Sequence, residues 1–366
     1  MAVTASSGGA LINSFHGVIL DMVNRGHRVV AFAPNLSKND RRILSRLGAK
    51  PCSLGSHRDV WTKYQRLREF SAVLRKASPD ILLVESAHRG ASSVAAAKLA
   101  GVPHVVTIVP SLGAAFMEGA DTSAWPKRQA LKALYRTVFS WSDAVVFHSA
   151  HDCTYAQDHN LIGRKKLQLS VGGWGEDLQR HVKRPLPPLD GGVLFLMATP
   201  LDRSQGIVEF CEAAKTLRLK ARRARFFLAS TPGDALSPLP TALLKEYREF
   251  VRYIGPVDDP SRLIARCHVT VAPSYGNGAP RSLFQALALG RPILTTDTRS
   301  CCGFVEDGSN GYLVGVRDVA SLARGMSQIL HRPDLMPHMA QASRSLALRY
   351  YDMNAVNALV LEALGL

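Results

Sequence analysis

The feature that most constrains the fold of this chain is a regular alternation of short apolar runs with helix-length amphipathic segments. In the first half, apolar runs typical of buried parallel strands occupy residues 2–5, 29–33, 81–84, 105–109 and 144–147. Segments with helical spacing of apolar residues separate them. Alternation of strands and helices in this order predicts an open α/β sheet.

A second alternating series follows a proline- and glycine-rich stretch, RPLPPLDGG, at residues 184–192. Its predicted strands occupy residues 193–198, 225–229, 269–272 and 293–296. We therefore predict two Rossmann-like doubly wound domains, residues 1–183 and 193–349, joined by a linker at 184–192. An apolar-faced helix at 354–364 has no strand partner. Ligands of such folds bind beyond the carboxyl ends of the strands, so the loops there are the candidate sites.

Composition excludes several classes of protein. Hydrophobic residues make up 46% of the 366, charged residues 20%, and no apolar stretch is long enough to span a membrane. The N-terminus lacks the pattern of a signal peptide, so we expect a cytoplasmic protein. The six cysteines show no CxxC spacing, which argues against a zinc site or a disulfide framework.

The net charge of +16 is concentrated in the first half. Residues 1–185 hold 25 Lys+Arg and 13 Asp+Glu, a net of +12, which leaves +4 for the remainder. Such a field suits a polyanion or an anionic membrane surface, although a solvated basic surface needs no partner. We expect no nucleic-acid partner, because no basic stripe alternates with stacking aromatic residues. Arg128, Lys132 and Arg136 share one helical face and are candidates for the membrane or acceptor side, unless that helix merely packs on the sheet.

A glycine-containing loop, PSYGNGAPR at residues 273–281, follows one predicted strand and opens a helix. Glycines let backbone N–H groups approach a ligand closely, and a helix N-terminus favours negative charge. The loop therefore indicates a phosphate or diphosphate site around Gly278 and Arg281, with an ordinary strand-to-helix turn as the alternative.

Residues 275–297 (YGNGAPRSLFQALALGRPILTTD), with VEDGSNGYLV at 305–314, YIGPVDD at 253–259 and GGWGEDL at 172–178, resemble the signature of the family 4 glycosyltransferases. Those are retaining GT-B enzymes that use nucleotide sugars. The resemblance implies an N-terminal acceptor domain, a C-terminal nucleotide-sugar domain and a cleft between them. It also implies that a final helix, 350–366, packs back on the first domain. Transfer with retention and without a metal or other cofactor is expected, with a UDP-linked sugar as donor substrate.

The sequence departs from the family pattern at four positions. The family has two glutamates, one contacting the transferred sugar and one the ribose hydroxyls, where this chain has Asn277 and Gln285. It also has an arginine and a lysine that neutralise the donor diphosphate, where this chain has Thr199 and Gln205. Arg203 is the cation that remains nearby.

The resemblance assigns candidate roles to residues of both domains. The catalytic candidates are Asn277, which would meet the developing positive charge of the sugar, and His16, expected to open the first helix. The expected donor site comprises Gly8 and Gly9 in a loop facing across the cleft, together with Thr199, Arg203, Gln205, Val257, Gly278, Ala279, Pro280, Arg281 and Gln285.

Two functions follow from these residues. The first is a hexosyltransferase of bacterial polysaccharide synthesis, whose acceptor is a glycan or a polyprenyl-diphosphate-linked sugar, acting in the cytoplasm or on the inner membrane face. The second, favoured by the four departures, is a catalytically degenerate protein that binds a sugar, a nucleotide or a partner transferase.

Overall fold

The computed structural model describes residues 1–55, 60–85, 90–113, 116, 125–163, 167–171, 173–220, 223–232, 241–276 and 278–366. The chain forms two compact units, Met1–Trp174 with Met353–Leu366, and Gly175–Asp352. The chain therefore changes unit before residue 183, and the predicted linker at 184–192 lies inside the second unit. The two ends of the second unit lie side by side. Glu176 pairs with Asp352 in a β-bridge, and its N–H donates to Tyr351 O at 2.8 Å.

The first unit is a seven-stranded parallel sheet in the order β3-β2-β1-β4-β5-β6-β7 with helices between the strands. The strands are β1 Ala2–Thr4, β2 Val30–Pro34, β3 Lys50–Leu54, β4 Ile81–Glu85, β5 His104–Val109, β6 Ala144–Phe147 and β7 Leu167–Ser170. The helices are α1 Gly8–Asn24, α2 Lys38–Arg46, α3 Val60–Ala77, α4 Ala91–Ala100, α5 Trp125–Trp141 and α6 Ala150–Asp158, with α13 Met353–Ala363 added from the end of the chain.

The second unit is a six-stranded parallel sheet in the order β10-β9-β8-β11-β12-β13. Its strands are β8 Val193–Thr199, β9 Ala224–Ser230, β10 Val251–Pro256, β11 Val269–Ala272, β12 Ile293–Thr296 and β13 Gly311–Val314. Its helices are α7 Ile207–Lys220, α8 Thr241–Glu246, α9 Ser261–Ile264, α10 Arg281–Leu289, α11 Val319–His331 and α12 Met336–Tyr350. Two parallel α/β Rossmann-like domains confirm the predicted fold class.

Helix α13 completes the core of the first unit. Val356 and Val360 are buried in the same apolar cluster as Phe15 of α1. Asn357 is also buried, and its Nδ2 donates to Asp21 Oδ2 of α1 at 2.9 Å. The last helix is thus fixed by apolar burial and by one polar bond to the first helix.

Candidate functional site

The strand order of the second sheet reverses between β8 and β11, and this reversal positions the candidate site. Crevices at such switch points, beyond the carboxyl ends of the strands, hold the ligands of doubly wound folds. The loops that follow β8 and β11 meet here, because the N–H of Tyr275 donates to Ser204 O at 2.8 Å. The sequence-predicted residues from Thr199 to Gln205 and from Gly278 to Gln285 are therefore brought together in one region.

The loop after β8 carries a neutral pair where the resemblance implies two cations. Thr199, buried at the end of β8, donates through its hydroxyl to Gln205 Oε1 at 3.0 Å. Arg203 lies in a single 3-10 turn between them and is exposed. Gly206 then adopts φ +78°, and a Cβ there would lie 2.1 Å from Pro273 O. The absence of a side chain at Gly206 thus lets the two loops pack backbone to backbone.

The N-terminus of α10 opens onto the same region. Pro280 at the N-cap offers no side-chain cap, and Leu283 N–H donates to Pro280 O at 3.0 Å. Ser282 in this turn is 3% exposed, and its Oγ has no hydrogen-bond partner among the described residues. Gly278 adopts φ +112°, and nothing lies within 4 Å of a Cβ added to it. A buried hydroxyl without a partner at the positive end of a helix is a candidate site for an anion.

Arg281, the first residue of α10, is held by an acidic side chain from the start of the unit. Its Nε lies 3.9 Å from Glu176 Oε2, and its side chain is 53% exposed. Glu176 is buried and its Oε1 is 3.0 Å from His181 Nδ1. The guanidinium therefore stays beside the helix N-terminus with part of its surface open to a ligand.

Gln285 lies one turn further along α10. It is 1% exposed, and its Nε2 donates to Asp259 Oδ1 at 3.0 Å, while its own Oε1 is buried without a partner among the described residues. Burial of Asp259 disfavours its charge, but hydrogen bonds from Ser261 and Gln285 outweigh this and lower the pKa of Asp259. The pair therefore holds an anionic carboxylate beside a neutral amide.

A further polar cluster at this edge was not predicted from the sequence. The Tyr275 hydroxyl donates to Glu209 Oε1 at 2.6 Å, and the Arg317 guanidinium lies 4.8 Å from the Tyr275 ring. Burial, followed by the bond to Glu209, raises the pKa of the Tyr275 phenol. Tyr275 lies in the glycine-containing loop after β11, which the sequence indicated as a site. Nothing in the local sequence indicated Glu209, at the start of α7, or Arg317, in the turn after β13.

Two of the first-unit predictions need correction. Gly8 and Gly9 do not form a loop: they are the first turn of α1, which Ser7 caps by accepting from Ala10 N–H at 3.1 Å. His16 does not open that helix but lies near its middle and is exposed. The serine cap starts the helix earlier than the glycines suggested, because a satisfied N-cap outweighs their low helix propensity.

The first sheet has its own switch point, between β1 and β4. A pocket there is lined by Ser6, Leu54, Glu85 and the start of α4, including Ser92 and Ser93. Its carboxylate and hydroxyls are the groups that hydrogen-bond sugar hydroxyls. Glu85 was not singled out from the sequence, because a lone acidic residue at a strand end carries no local signal.

His148 follows β6 and is half-buried. Its ring packs edge-on against Trp174 at 4.5 Å, and its Nε2 is buried without a partner among the described residues. Burial lowers the pKa of His148 to about 3, so the ring is neutral at physiological pH. The structure thus places a neutral ring against Trp174 in the first unit.

The basic face of α5 is partly used within the first unit. Arg128 donates to the Tyr155 hydroxyl at 3.3 Å, and Arg136 donates to the carbonyls of His159 and Asn160. Lys132 lies between them and is half-buried. This face therefore contacts α6 and the turn that follows it, with Arg136 still exposed.

The remaining predicted donor-site residues lie in the loops after β10 and before α10. Val257, after β10, is half-buried and its N–H donates to Ser230 O at 2.8 Å, and Ala279 is half-buried before α10. Asn277 lies outside the described residues. Among the residues that are described, no three His, Cys, Asp or Glu side chains are grouped to hold a metal ion, and no helix has the length and apolarity to cross a membrane.

Two parallel-sheet Rossmann-like units, with a candidate anion site at the switch point of the second, are typical of the GT-B class. Comparison with family models agrees with this class. Residues 11–167 match the model described as glycosyl transferase 4-like domain, and residues 190–332 match the model described as glycosyl transferases group 1. The chain is a glycosyltransferase of the GT-B type, related to enzymes of polysaccharide and lipopolysaccharide biosynthesis.

Individual relatives agree with this assignment. The chain is 25% identical over 308 residues to the EpsD protein of Bacillus subtilis, which covers 79% of this chain and 77% of that protein. It is 23% identical over 293 residues to an N,N'-diacetylbacillosaminyl-diphospho-undecaprenol alpha-1,3-N-acetylgalactosaminyltransferase of Campylobacter jejuni, covering 78% and 76%. Anabaena HepE in complex with UDP-glucose shares the fold with a TM-score of 0.77, at 14% identity over 100% of this chain and 98% of that one.

Proposed function

We propose that this protein transfers a hexosyl unit from a UDP-linked sugar, with retention and without a metal, to a glycan or polyprenyl-diphosphate-linked acceptor in bacterial polysaccharide synthesis. The Campylobacter relative, whose name describes a diphospho-undecaprenol-linked substrate, and the HepE complex with UDP-glucose support this choice of acceptor and donor. In this proposal the second unit holds the donor, and the pocket beside Glu85 in the first unit receives the acceptor.

The observation that carries the proposal is the N-terminus of α10. It combines the positive end of the helix dipole, the buried unpartnered Ser282 hydroxyl and the half-exposed Arg281 guanidinium. A diphosphate at this position would accept hydrogen bonds from Ser282 and Arg281, and the helix dipole would favour its charge. Arg281 would then provide the positive charge that Thr199 and Gln205 lack.

The proposed chemistry needs no protein nucleophile. The bond between the anomeric carbon and the diphosphate oxygen breaks, and a bond to the acceptor oxygen forms on the same face of the sugar. The acceptor proton passes to the leaving phosphate oxygen. In this proposal Arg281, Ser282 and the exposed Arg203 stabilise the negative charge that develops on the diphosphate. Asn277 keeps the proposed role of meeting the oxocarbenium-like sugar.

A peripheral position on the inner face of the plasma membrane is part of the proposal. Its support is the net charge of +12 in residues 1–185 and the exposed Arg136 of α5. The expected result is flotation of the protein with vesicles that contain anionic lipid, and release at high salt because the attraction is screened. Failure to float at low salt would remove the membrane from the proposal.

The alternative is a degenerate GT-B subunit that binds a ligand or a partner transferase without turnover. The hydrogen bond between Thr199 and Gln205 favours this alternative. Two neutral side chains bond to each other at the positions where the resemblance implies two cations. The two functions differ in a single observable, which is release of nucleotide from a donor sugar.

The test is to incubate the protein with UDP-, GDP- and dTDP-sugars and to follow nucleotide release and the melting temperature together. Release above the level of a heat-inactivated sample, with a raised melting temperature, is the expected result. Stabilisation without release in the presence of lipid-linked acceptors would favour the degenerate subunit. No response to any nucleotide would refute both donor use and nucleotide binding.

Replacing Arg281 by glutamine is expected to weaken UDP binding by about 10- to 100-fold, because a charge-assisted hydrogen bond to phosphate contributes roughly 1.5–3 kcal/mol. Uridine, which has no phosphate, should bind the variant and the parent alike. Isothermal titration calorimetry with both ligands measures the difference. The matched control is Arg248→Gln, an exposed arginine of the same unit. Equal losses for UDP and uridine would contradict a role of Arg281 at the phosphates.

A further inference from the structure

The contact between Gln285 and Asp259 joins two elements of the second unit. Gln285 belongs to α10, whereas Asp259 lies in the turn between β10 and α9, where its Oδ1 also accepts from the Ser261 N–H at 3.1 Å. The Gln285 side chain is almost fully buried, but that of Asp259 is 41% exposed. Of the two, Asp259 is therefore the one that a ligand can reach.

The amide at position 285 is what allows a charge at position 259. A glutamate in its place would put two carboxylates about 3 Å apart, and like charges at that distance cannot both ionise at neutral pH. The glutamine instead donates a hydrogen bond to Asp259 and helps to keep it anionic. The loss of a carboxylate from α10 is thus matched by a carboxylate on the adjoining turn.

The position of this carboxylate fits a nucleotide. Arg281 and Gln285 are four residues apart on one face of α10, which corresponds to a rise of about 6 Å along the helix axis. The amide that orients Asp259 therefore lies about one helical turn from the anion site, a separation comparable to that between the phosphates and the ribose hydroxyls of a nucleoside diphosphate. A charged acceptor forms the stronger hydrogen bonds to hydroxyl donors.

We propose that the Asp259 carboxylate, oriented by the Gln285 amide, accepts the hydrogen bonds of the ribose hydroxyls of the donor nucleotide. This inference rests on the proposed function and names the residue that selects a ribonucleotide. It assigns ribose recognition to the turn after β10 and leaves Gln285 as a positioning residue.

Asp259 also forms an ion pair with an arginine, which a ribose would have to displace. Arg180 Nη2 lies 3.3 Å from Asp259 Oδ2, but the Arg180 side chain is 66% exposed. Exposed pairs of this kind contribute little to stability, so a ribose can displace the arginine at small cost. Replacing Arg180 by glutamine should accordingly change UDP affinity by less than about threefold.

The first test compares two nucleotides, UDP and 2',3'-dideoxy-UDP, in the full-length protein. The parent should prefer UDP by about 30-fold, and Asp259→Asn should remove most of this preference by weakening UDP alone. Asp258→Asn, the same change at the exposed neighbouring residue, should leave the preference intact. Melting temperatures of the variants without ligand separate loss of folding from loss of recognition.

The second test changes the orienting group. Gln285→Glu should lower UDP affinity, since it removes the amide donor and places a second carboxylate beside Asp259, whereas 2',3'-dideoxy-UDP should bind this variant and the parent alike. A purely structural contact would weaken the binding of both nucleotides equally. Parent protein that binds UDP and its dideoxy analogue equally would overturn this inference alone, and parent protein that binds no nucleotide would overturn the proposed function with it.

Discussion

Replacing Arg291 by methionine is expected to destabilise the second unit by about 4 kcal/mol or more, roughly 1000-fold in its unfolding equilibrium. Arg291 follows α10 and is completely buried. No acidic side chain pairs with it in the described structure: all of the hydrogen bonds of its guanidinium go to backbone carbonyls. The acceptors are Ile264, Ala265, Arg184, Pro185, Leu289 and Gly290, at 2.8–3.2 Å.

The size of the effect follows from this arrangement. Burial lowers the pKa of Arg291 to about 10, which still leaves it charged at pH 7. Methionine has a similar length but no donors, so several buried carbonyls would lose their partners, and each such loss costs about 1–3 kcal/mol. The segment 184–185, the end of α9 and the end of α10 would all lose their common anchor.

Calorimetry of the whole chain measures this loss, and hydrogen exchange resolved by peptide assigns it to one unit. The matched control is Arg344→Met, since Arg344 also donates to carbonyls, those of Leu178, His181 and Ala288, but is only half-buried. Its loss should cost clearly less. Equal destabilisation by the two variants would show that burial of Arg291 adds nothing.

Replacing Gly206 by alanine should have the second largest effect, about 3 kcal/mol of stability together with most of the nucleotide binding. The residue adopts φ +78°, which costs an L-residue about 1–2 kcal/mol. In addition, the new Cβ would lie 2.1 Å from Pro273 O, so one of the two loops must move. That movement would break the bond between Tyr275 N–H and Ser204 O, which holds the loops together.

Gly308→Ala separates these two contributions. Gly308 has almost the same φ, +77°, but nothing lies within 4 Å of an added Cβ. The Gly308→Ala variant should therefore lose only the stability that a positive φ costs an alanine, and its UDP binding should be unchanged. Thermal unfolding and calorimetric titration of both variants test the comparison, and a Gly206→Ala protein that still binds UDP normally would contradict the close packing of the loops.

The sequence predicted the interior of both sheets and missed their edges. Every predicted strand is present, whereas the four strands that were not predicted, β3, β7, β10 and β13, are the four edge strands. Interior parallel strands are covered on both faces and appear as continuous apolar runs. Edge strands are less covered: residues 252–254 in β10 are all exposed, and β3 begins with an exposed lysine. Their sequences therefore carry no comparable signal.

The candidate site was predicted in part for a similar reason. The loop before α10 has local signals, glycines and a following helix, so Gly278 and Arg281 could be identified. Asp259 lies 26 residues before Gln285, and Glu176 lies further still from Arg281. Contacts of that kind arise from the folded sheet and leave no pattern in the sequence. The errors at Gly8 and His16 have the opposite origin, since the glycines suggested a loop and the cap at Ser7 began a helix.

The division of the chain into two units also sets the order in which the units can be completed during synthesis. The first unit needs its last residues, because Val356 and Val360 of α13 fill the core against α1. A ribosome has finished all of Gly175–Asp352 before it makes α13. The second unit is consequently the first to be complete, and a nascent chain halted before Met353 carries a finished sheet attached to a first core whose apolar side is still open.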